Sequence, residues 1–333
     1  MHNKKILIYG ENWEGTLPQL LSTDLQRRGY QITNFDFTDI LPGIKKQLFH
    51  EKVLRRCFYT LYVTKIRNAL IHKVKETKPD IVIIAKGLHL SPQTVQTIKE
   101  NCQYLVNWNP DDFFNPKNSN NDLISSIKHY DLIVSARPHL KELYLKNGMK
   151  GFLYLDWYYI PSLHKDYQLP PSNLTTFIGS WSPYREEYLN QVDTPISIWG
   201  AGWSKSSHQF RKKNNVNFKI LSQIEMSQLF NSSKFNINFL THENSDRTNL
   251  RIFEVTASAG VLLTESNNEI DRYLTPGKDY LSFSNPSELN AIISSKIDTS
   301  EICLSGYKRI TKEQNTFNDR ATTLVEYIEN NLS

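Results

Sequence analysis

The sequence predicts an α/β protein made of two successive doubly wound domains. Three observations predict it. The chain has 333 residues, the length of about two domains at roughly 150 residues each. Short apolar runs ending at glycine alternate with segments of helical apolar spacing, the rhythm of strand–helix–strand units with right-handed crossovers. That rhythm stops in a proline-rich stretch near the middle of the chain and then starts again.

The elements follow in order. Lys5-Ile-Leu-Ile-Tyr9 is a continuous apolar run closed by Gly10, which is how a parallel strand buried on both faces reads. Leu17, Leu20, Leu21 and Leu25 then share a helical face, and Gly29 supplies the stop. Residues 31–37 alternate as a second strand. After a basic helical region, Pro79-Asp80 opens Ile81–Ala85, the most apolar strand of the chain, and residues 103–108 and 131–135 give two more. The stretch 158–174 contains Pro161, Pro170 and Pro171 and no periodic pattern, so it is the expected connector. Beyond it, strands are expected at 175–178 (before Gly179), 196–199 (before Gly200), 235–240 and 261–263, with helices near 185–190 and 250–258. The domains are thus expected at 1–160 and 175–315, joined by a linker at 161–174. Residues 316–333 form a last helix with Ala321, Leu324, Val325 and Ile328 on one face. Sequence leaves open which domain that helix covers. Two such domains imply a cleft, and ligands of open α/β sheets bind beyond the carboxyl ends of the strands.

Composition excludes several classes. Apolar residues are 39%, aromatics 12% and charged residues 22%, unlike a disordered or collagen-like chain. No run reaches the roughly 18 apolar residues of a membrane span, and the first ten residues are too short and too abruptly ended for a secretory signal. A cytoplasmic protein is expected, with the inner face of the membrane as an alternative site. Cys57, Cys102 and Cys303 are scattered, which argues against a disulfide framework or a zinc site. Residues Lys45 to Lys78 hold ten Lys or Arg against two acids, a surplus of +8 that leaves the rest of the chain at −3 against a total of +5. One segment, not the whole surface, is basic, so no nucleic-acid partner is expected. With Phe49, Phe58, Tyr59 and Tyr62 interleaved, the segment reads either as the solvated face of helices or as a peripheral contact with an anionic membrane or an acidic glycan.

The strongest chemical constellation runs from Asp246 to Gly260. Asn249 stands where a helix is expected to begin, and a helix N-terminus with Arg251 beside it is an anion site. Glu254, one turn deeper, suits two vicinal ribose hydroxyls; the plainer alternative is an amphipathic helix in which Glu254 pairs with Arg251. A second cluster is the strand–glycine–helix turn with Gly179, Ser180 and Arg185, where a phosphate can approach the backbone. A third is Trp199-Gly200-Ala-Gly202-Trp203, with Trp203 either stacking on a base or sugar or simply packed. The loop 10–15 lacks Gly-x-Gly-x-x-Gly spacing, so no dinucleotide cofactor is expected.

Taken in order, several of these residues resemble the glycosyltransferases of the CgeB type, spore-maturation-like proteins related to the group-1, family 4-like transferases. The resemblance rests on Phe177-Ile-Gly-Ser with Arg185, Trp199-Gly-Ala-Gly-Trp203, Asn238-Phe-Leu-Thr-His242, Arg251-Ile-Phe-Glu254 with Ala259-Gly260, and Gly277-Lys-Asp-Tyr280 with Glu288-Leu289. In the first half it rests on Ala85-Lys-Gly-Leu-His89, Asn107-Trp-Asn-Pro-Asp111-Asp112 and Asp131-Leu-Ile-Val134. It implies a GT-B fold, two Rossmann-like domains facing across a cleft, with a nucleotide-sugar donor held mainly by the second. It implies glycosyl transfer to a saccharide, glycan or glycolipid acceptor in polysaccharide biosynthesis. Glu254 would bind the ribose, and Asp246, where the Glu-x7-Glu element has its first glutamate, would approach the transferred sugar. Arg185 and Arg251 would stabilise the leaving diphosphate with no metal and no other cofactor; Asp111 and Asp112 are adjacent rather than spaced as Asp-x-Asp. Asp111, Asp112 and His89 are the candidate bases on the acceptor side. The alternative from another class is a non-catalytic nucleotide- or sugar-binding module of the same two-domain architecture.

Overall fold

The computed structural model describes residues 4–44, 49–240 and 247–332. Its contacts divide the chain into two compact units: one runs to Asp156 and resumes at Asn318, the other runs from Trp157 to Phe317.

The first unit is a six-stranded, all-parallel sheet. Its elements are β1 (Lys5–Tyr9), α1 (Leu17–Arg27), β2 (Gln31–Phe35), α2 (Phe49–Cys57), α3 (Tyr59–Thr77), β3 (Ile81–Ala85), α4 (Pro92–Lys99), β4 (Tyr104–Trp108), α5 (Asn121–Ser125), β5 (Leu132–Ser135), α6 (Lys141–Lys146) and β6 (Phe152–Tyr154). Strand order is β2-β1-β3-β4-β5-β6, with Leu7 opposite Thr33 on one side and Val82 on the other. Every residue of β3 and β4 is buried, because helices cover both faces of a parallel sheet and leave no polar side for alternation. The order reverses between β1 and β3, so the loops after those strands flank this sheet's switch point.

The second unit repeats the plan with β7 (Thr175–Ile178), α7 (Pro183–Asn190), β8 (Ser197–Trp199), α8 (His208–Lys213), β9 (Asn215–Asn217), α9 (Gln223–Ser232), β10 (Phe235–Asn238), α10 (Leu250–Ala257), β11 (Leu262–Glu265), β12 (Leu281–Phe283), α11 (Pro286–Ser294) and α12 (Ser300–Lys312). The order β12-β11-β10-β7-β8-β9 places the switch point between β7 and β10. Two apolar clusters pack against this sheet. One gathers Phe177, Ile198, Trp203, Phe239 and Phe283; the other gathers Phe230, Ile252, Phe253, Leu262 and Tyr273.

Two features add to the sequence reading. The last helix, α13 (Phe317–Asn331), joins the first unit: Leu324, Val325 and Ile328 line an apolar seam with Ile6, Leu25, Ile81 and Ile83. Polar ties back it, Arg28 Nη2 to Thr322 Oγ1 at 2.7 Å and Tyr30 Oη to Glu329 Oε1 at 2.7 Å. The proline-rich stretch has no regular element, yet it is held along the second unit. Trp157 Nε1 donates to Thr248 O at 3.1 Å, Tyr159 forms a parallel bridge with Thr316, and the Ser172 N–H donates to Ser232 O at 2.7 Å. Among the described residues, no helix is long and apolar enough to cross a membrane.

Candidate active site

The donor candidates of the second unit lie on the turns after β7 and β8 and on α10, the helix that follows β10. After β7 the chain turns at Gly179, and Ser182 caps α7 by accepting from the Arg185 N–H at 3.2 Å. Arg185 folds back, its Nη1 donating to Ser180 O at 2.7 Å and its guanidinium lying 5.6 Å from the Phe177 ring centroid. Gly200, at φ +140°, passes so close to this turn that a Cβ there would stand 2.1 Å from Gly179 O. Position 200 therefore needs glycine, while a Cβ at Gly179 would meet the Phe177 ring at 2.7 Å. Trp203 is a correction: it is 0% exposed, packs parallel to Phe210 and donates Nε1 to Gly179 O at 2.8 Å. A ring with no exposed face cannot stack on a base or sugar; it braces the Gly179 turn from beneath.

Around β10, the loop side chains interlock. Asn238 donates to Thr264 Oγ1 at 2.9 Å, and Asn249 donates to Asn238 Oδ1 and to Phe239 O, both at 3.1 Å. Asn249 stands at the N-cap position of α10 with extended φ and ψ, but its side chain makes no capping bond. It ties the helix start to the β10 end instead, so among the described residues no side chain caps the first N–H groups of α10, the arrangement an anion site uses. Asp246, the expected neighbour of the transferred sugar, lies outside the described residues.

One turn into α10, Arg251 Nη1 meets Glu254 Oε2 at 2.5 Å, also reaches Met226 Sδ at 2.9 Å, and the guanidinium lies 4.9 Å from the Phe230 ring centroid. The pair anticipated by the plainer reading of α10 is thus present. Its setting is unusual for an ordinary surface pair, since Glu254 is only 5% exposed. A carboxylate so desolvated is held there by its cation. The guanidinium's five N–H donors exceed the contacts it makes within the helix.

The acceptor candidates lie in the first unit, on loops after β3 and β4. Asp111 Oδ2 meets Lys86 Nζ at 2.8 Å. Lys86 adopts φ +61°, unusual for a residue with a side chain, and its N–H donates to Trp108 O at 3.1 Å; the β3 loop is thereby clamped to the end of β4. Asp112 is buried and accepts from the Phe114 N–H at 2.9 Å, closing a turn. His89 shares a hydrogen bond between Nδ1 and the Tyr59 hydroxyl at 3.0 Å, and its carbonyl accepts from Arg67 Nε. Burial, then the nearby Arg67 and Arg55 charges, lower its pKa to about 4, so the ring is neutral near pH 7 and a weak base. Each acceptor candidate therefore has its own partner.

Sequence reasoning passed over three groups. Glu265, at the end of β11, accepts from the Leu240 N–H at 2.6 Å and from the Tyr184 hydroxyl at 2.7 Å, so it ties the β10 loop to α7. Lys86 lies in the same Ala85-Lys-Gly-Leu-His89 turn as His89 and carries the positive charge that meets Asp111. His164 lay in the proline-rich stretch, where no periodicity exists to mark it.

The fold decides the comparison with known proteins. Residues 185–326 match the family model described as glycosyl transferase-like. Sucrose-phosphate synthase from Thermosynechococcus elongatus aligns with a TM-score of 0.70 at 9% identity, covering 98% of this chain and 98% of its own. This chain has the GT-B glycosyltransferase fold. Anabaena HepE, solved with UDP and glucose, aligns with a TM-score of 0.63 at 12% identity over 98% of this chain and 100% of its own. Trehalose 6-phosphate synthase from Burkholderia multivorans gives 0.64 at 10% identity over 99% and 100%. No curated protein sequence matches the chain.

Proposed function

We propose that the chain is a CgeB-type glycosyltransferase, moving a sugar from a nucleotide-sugar donor to a saccharide, glycan or glycolipid acceptor. The observation that carries the reading is the Arg251–Glu254 pair, half sunk at the start of α10 beside the β7–β10 switch point. Breaking the anomeric bond builds positive charge on the sugar and negative charge on the departing phosphate. Arg251, Arg185 and the uncapped N–H groups of α10 meet that negative charge, which is larger in the transition state than in the bound donor. These cations take the part a metal would otherwise play. Glu254 accepts from the ribose hydroxyls and fixes the nucleotide in register with the diphosphate.

On the acceptor side, Asp111, Asp112 and His89 are proposed to line the acceptor's path. The α2–α3 surface exposes Val53, Leu54, Phe58, Tyr59 and Leu61 among Lys52, Arg55, Arg56 and Lys65. That mixture suits a peripheral contact with the anionic cytoplasmic membrane face, where a lipid-linked acceptor is presented.

The test is nucleotide release and product formation with UDP-glucose first, since HepE structures hold that donor, followed by other nucleotide sugars. The expected outcome is turnover by the wild type and a loss of about a hundredfold or more in Glu254→Ala and Arg251→Ala, both still folded. Near-wild-type transfer by both variants sinks the site. No nucleotide release with any donor that binds leaves the non-catalytic binding module as the correct reading.

A further inference from the structure

Glu254 has a second neighbour that the proposed chemistry does not use. His164 is 2% exposed and sits on the segment bound along the second unit. Its Nδ1 accepts from the Ile160 N–H at 3.0 Å, which fixes the ring, and the His164 backbone N–H donates to Ile160 O at 2.7 Å, which closes the turn. An Nδ1 that accepts places the proton of the neutral ring on Nε2. Burial lowers the ring's pKa, partly offset by Glu254, which keeps that neutral form near pH 7. Nε2 is buried, makes no hydrogen bond among the described residues, and lies 3.9 Å from Glu254 Oε1. This gap is longer than a hydrogen bond, at about 2.7–3.2 Å. It is also shorter than the roughly 5 Å that two such bonds through a water would span. A donor has been built toward the carboxylate and left just short of it, while Arg251 holds the other oxygen, Oε2, at 2.5 Å.

We propose that His164 is the positioning residue for Glu254 in the donor-bound state. The inference rests on the ribose-binding reading of Glu254. When a diphosphate draws the Arg251 guanidinium toward itself, the buried carboxylate loses its cation. It then needs another donor, since an unpaired buried charge is strongly disfavoured. A rotation of the carboxylate by about 1 Å brings Oε1 within reach of Nε2–H. His164 then fixes the plane of the carboxylate, so that its remaining lone pairs face the ribose hydroxyls while Arg251 attends to the phosphate. His164 does not touch substrate; it acts through Glu254.

Calorimetric titration tests this, using whichever of UDP, GDP, ADP or CDP the wild type binds best and the 2′,3′-dideoxy form of the same nucleotide. The ratio of the two affinities reads the grip on the ribose, and a merely structural defect leaves it unmoved. Wild type is expected to prefer the ribonucleotide, and Glu254→Gln and Glu254→Ala to lose the preference. His164→Asn keeps an acceptor near the Nδ1 position for the Ile160 N–H but has nothing at Nε2; it is expected to cut the preference about tenfold. His164→Gln, which can place an N–H near Nε2, is expected to restore most of it. If His164→Asn discriminates like wild type while the Glu254 variants do not, the inference is overturned and the ribose reading stands. If none of the nucleotides binds, or the Glu254 variants discriminate as wild type does, the ribose reading itself fails and takes this inference with it.

Discussion

At the scale of single residues, two consequences can be measured directly. Gly200→Ala would drive a Cβ against Gly179 O at 2.1 Å and force a side chain onto φ +140°. The expected result is a loss of about 2–4 kcal/mol in a denaturant melt, with donor binding weakened because the Gly179 turn moves. His89 gives a pH dependence of known sign. Its folded pKa is lowered from 6.5 to about 4, so below about pH 6.5 the unfolded chain takes up a proton that the native ring refuses. Stability present above that pH is expected to fall as the pH drops toward 4, and a His89→Asn variant should show a flatter profile in melts run from pH 7 to pH 4. Residue types at these positions were legible in sequence, whereas their partners were not. Arg251 and Glu254 stand three apart, so helical spacing already joined them. Trp203, with polar neighbours in sequence, was open to a stacking role, and only the packing of Phe177 and Phe210 around it decides that it is core.

At the scale of elements, the apolar runs read most clearly because β1, β3 and β4 are buried on both faces. The strands that escaped notice are three residues long: β6, β9 and β12. Three residues give too little pattern to separate from a loop, and such strands form because a neighbouring strand offers its hydrogen-bonding edge. The amphipathic face of α13 was visible, but its address was not, since a stripe of Ala321, Leu324, Val325 and Ile328 fits any apolar surface. The structure gives that address, and with it a prediction. Leu324→Ala, at a side chain 1% exposed, should destabilise the first unit by about 2–5 kcal/mol. A melt followed by a probe in each unit would reveal it, with the first unit's transition shifted and the second's nearly unmoved.

At the scale of the whole molecule, the uneven charge is the main lever. The surplus of basic residues between 45 and 78 coincides with the exposed apolar side chains of α2 and α3, Leu61 being 67% exposed. Sedimentation with vesicles of anionic phospholipid is expected to carry the protein down at low salt and to release it as ionic strength rises. The double change Phe58→Ser and Leu61→Ser should weaken binding even at low salt, and equal binding by that variant would show that the patch is only a solvated helix face. The architecture itself was readable from rhythm alone, because strand–helix alternation and a mid-chain break are long-range patterns that survive errors at single boundaries. One outcome of the chain's path bears on how the molecule is made. The helix that completes the first sheet's cover follows everything from 157 to 317, so a ribosome delivering about 5–20 residues per second leaves that cover missing for on the order of ten seconds or more. During that interval the nascent chain carries an unfinished, greasy seam, and a holding chaperone would find its natural client there.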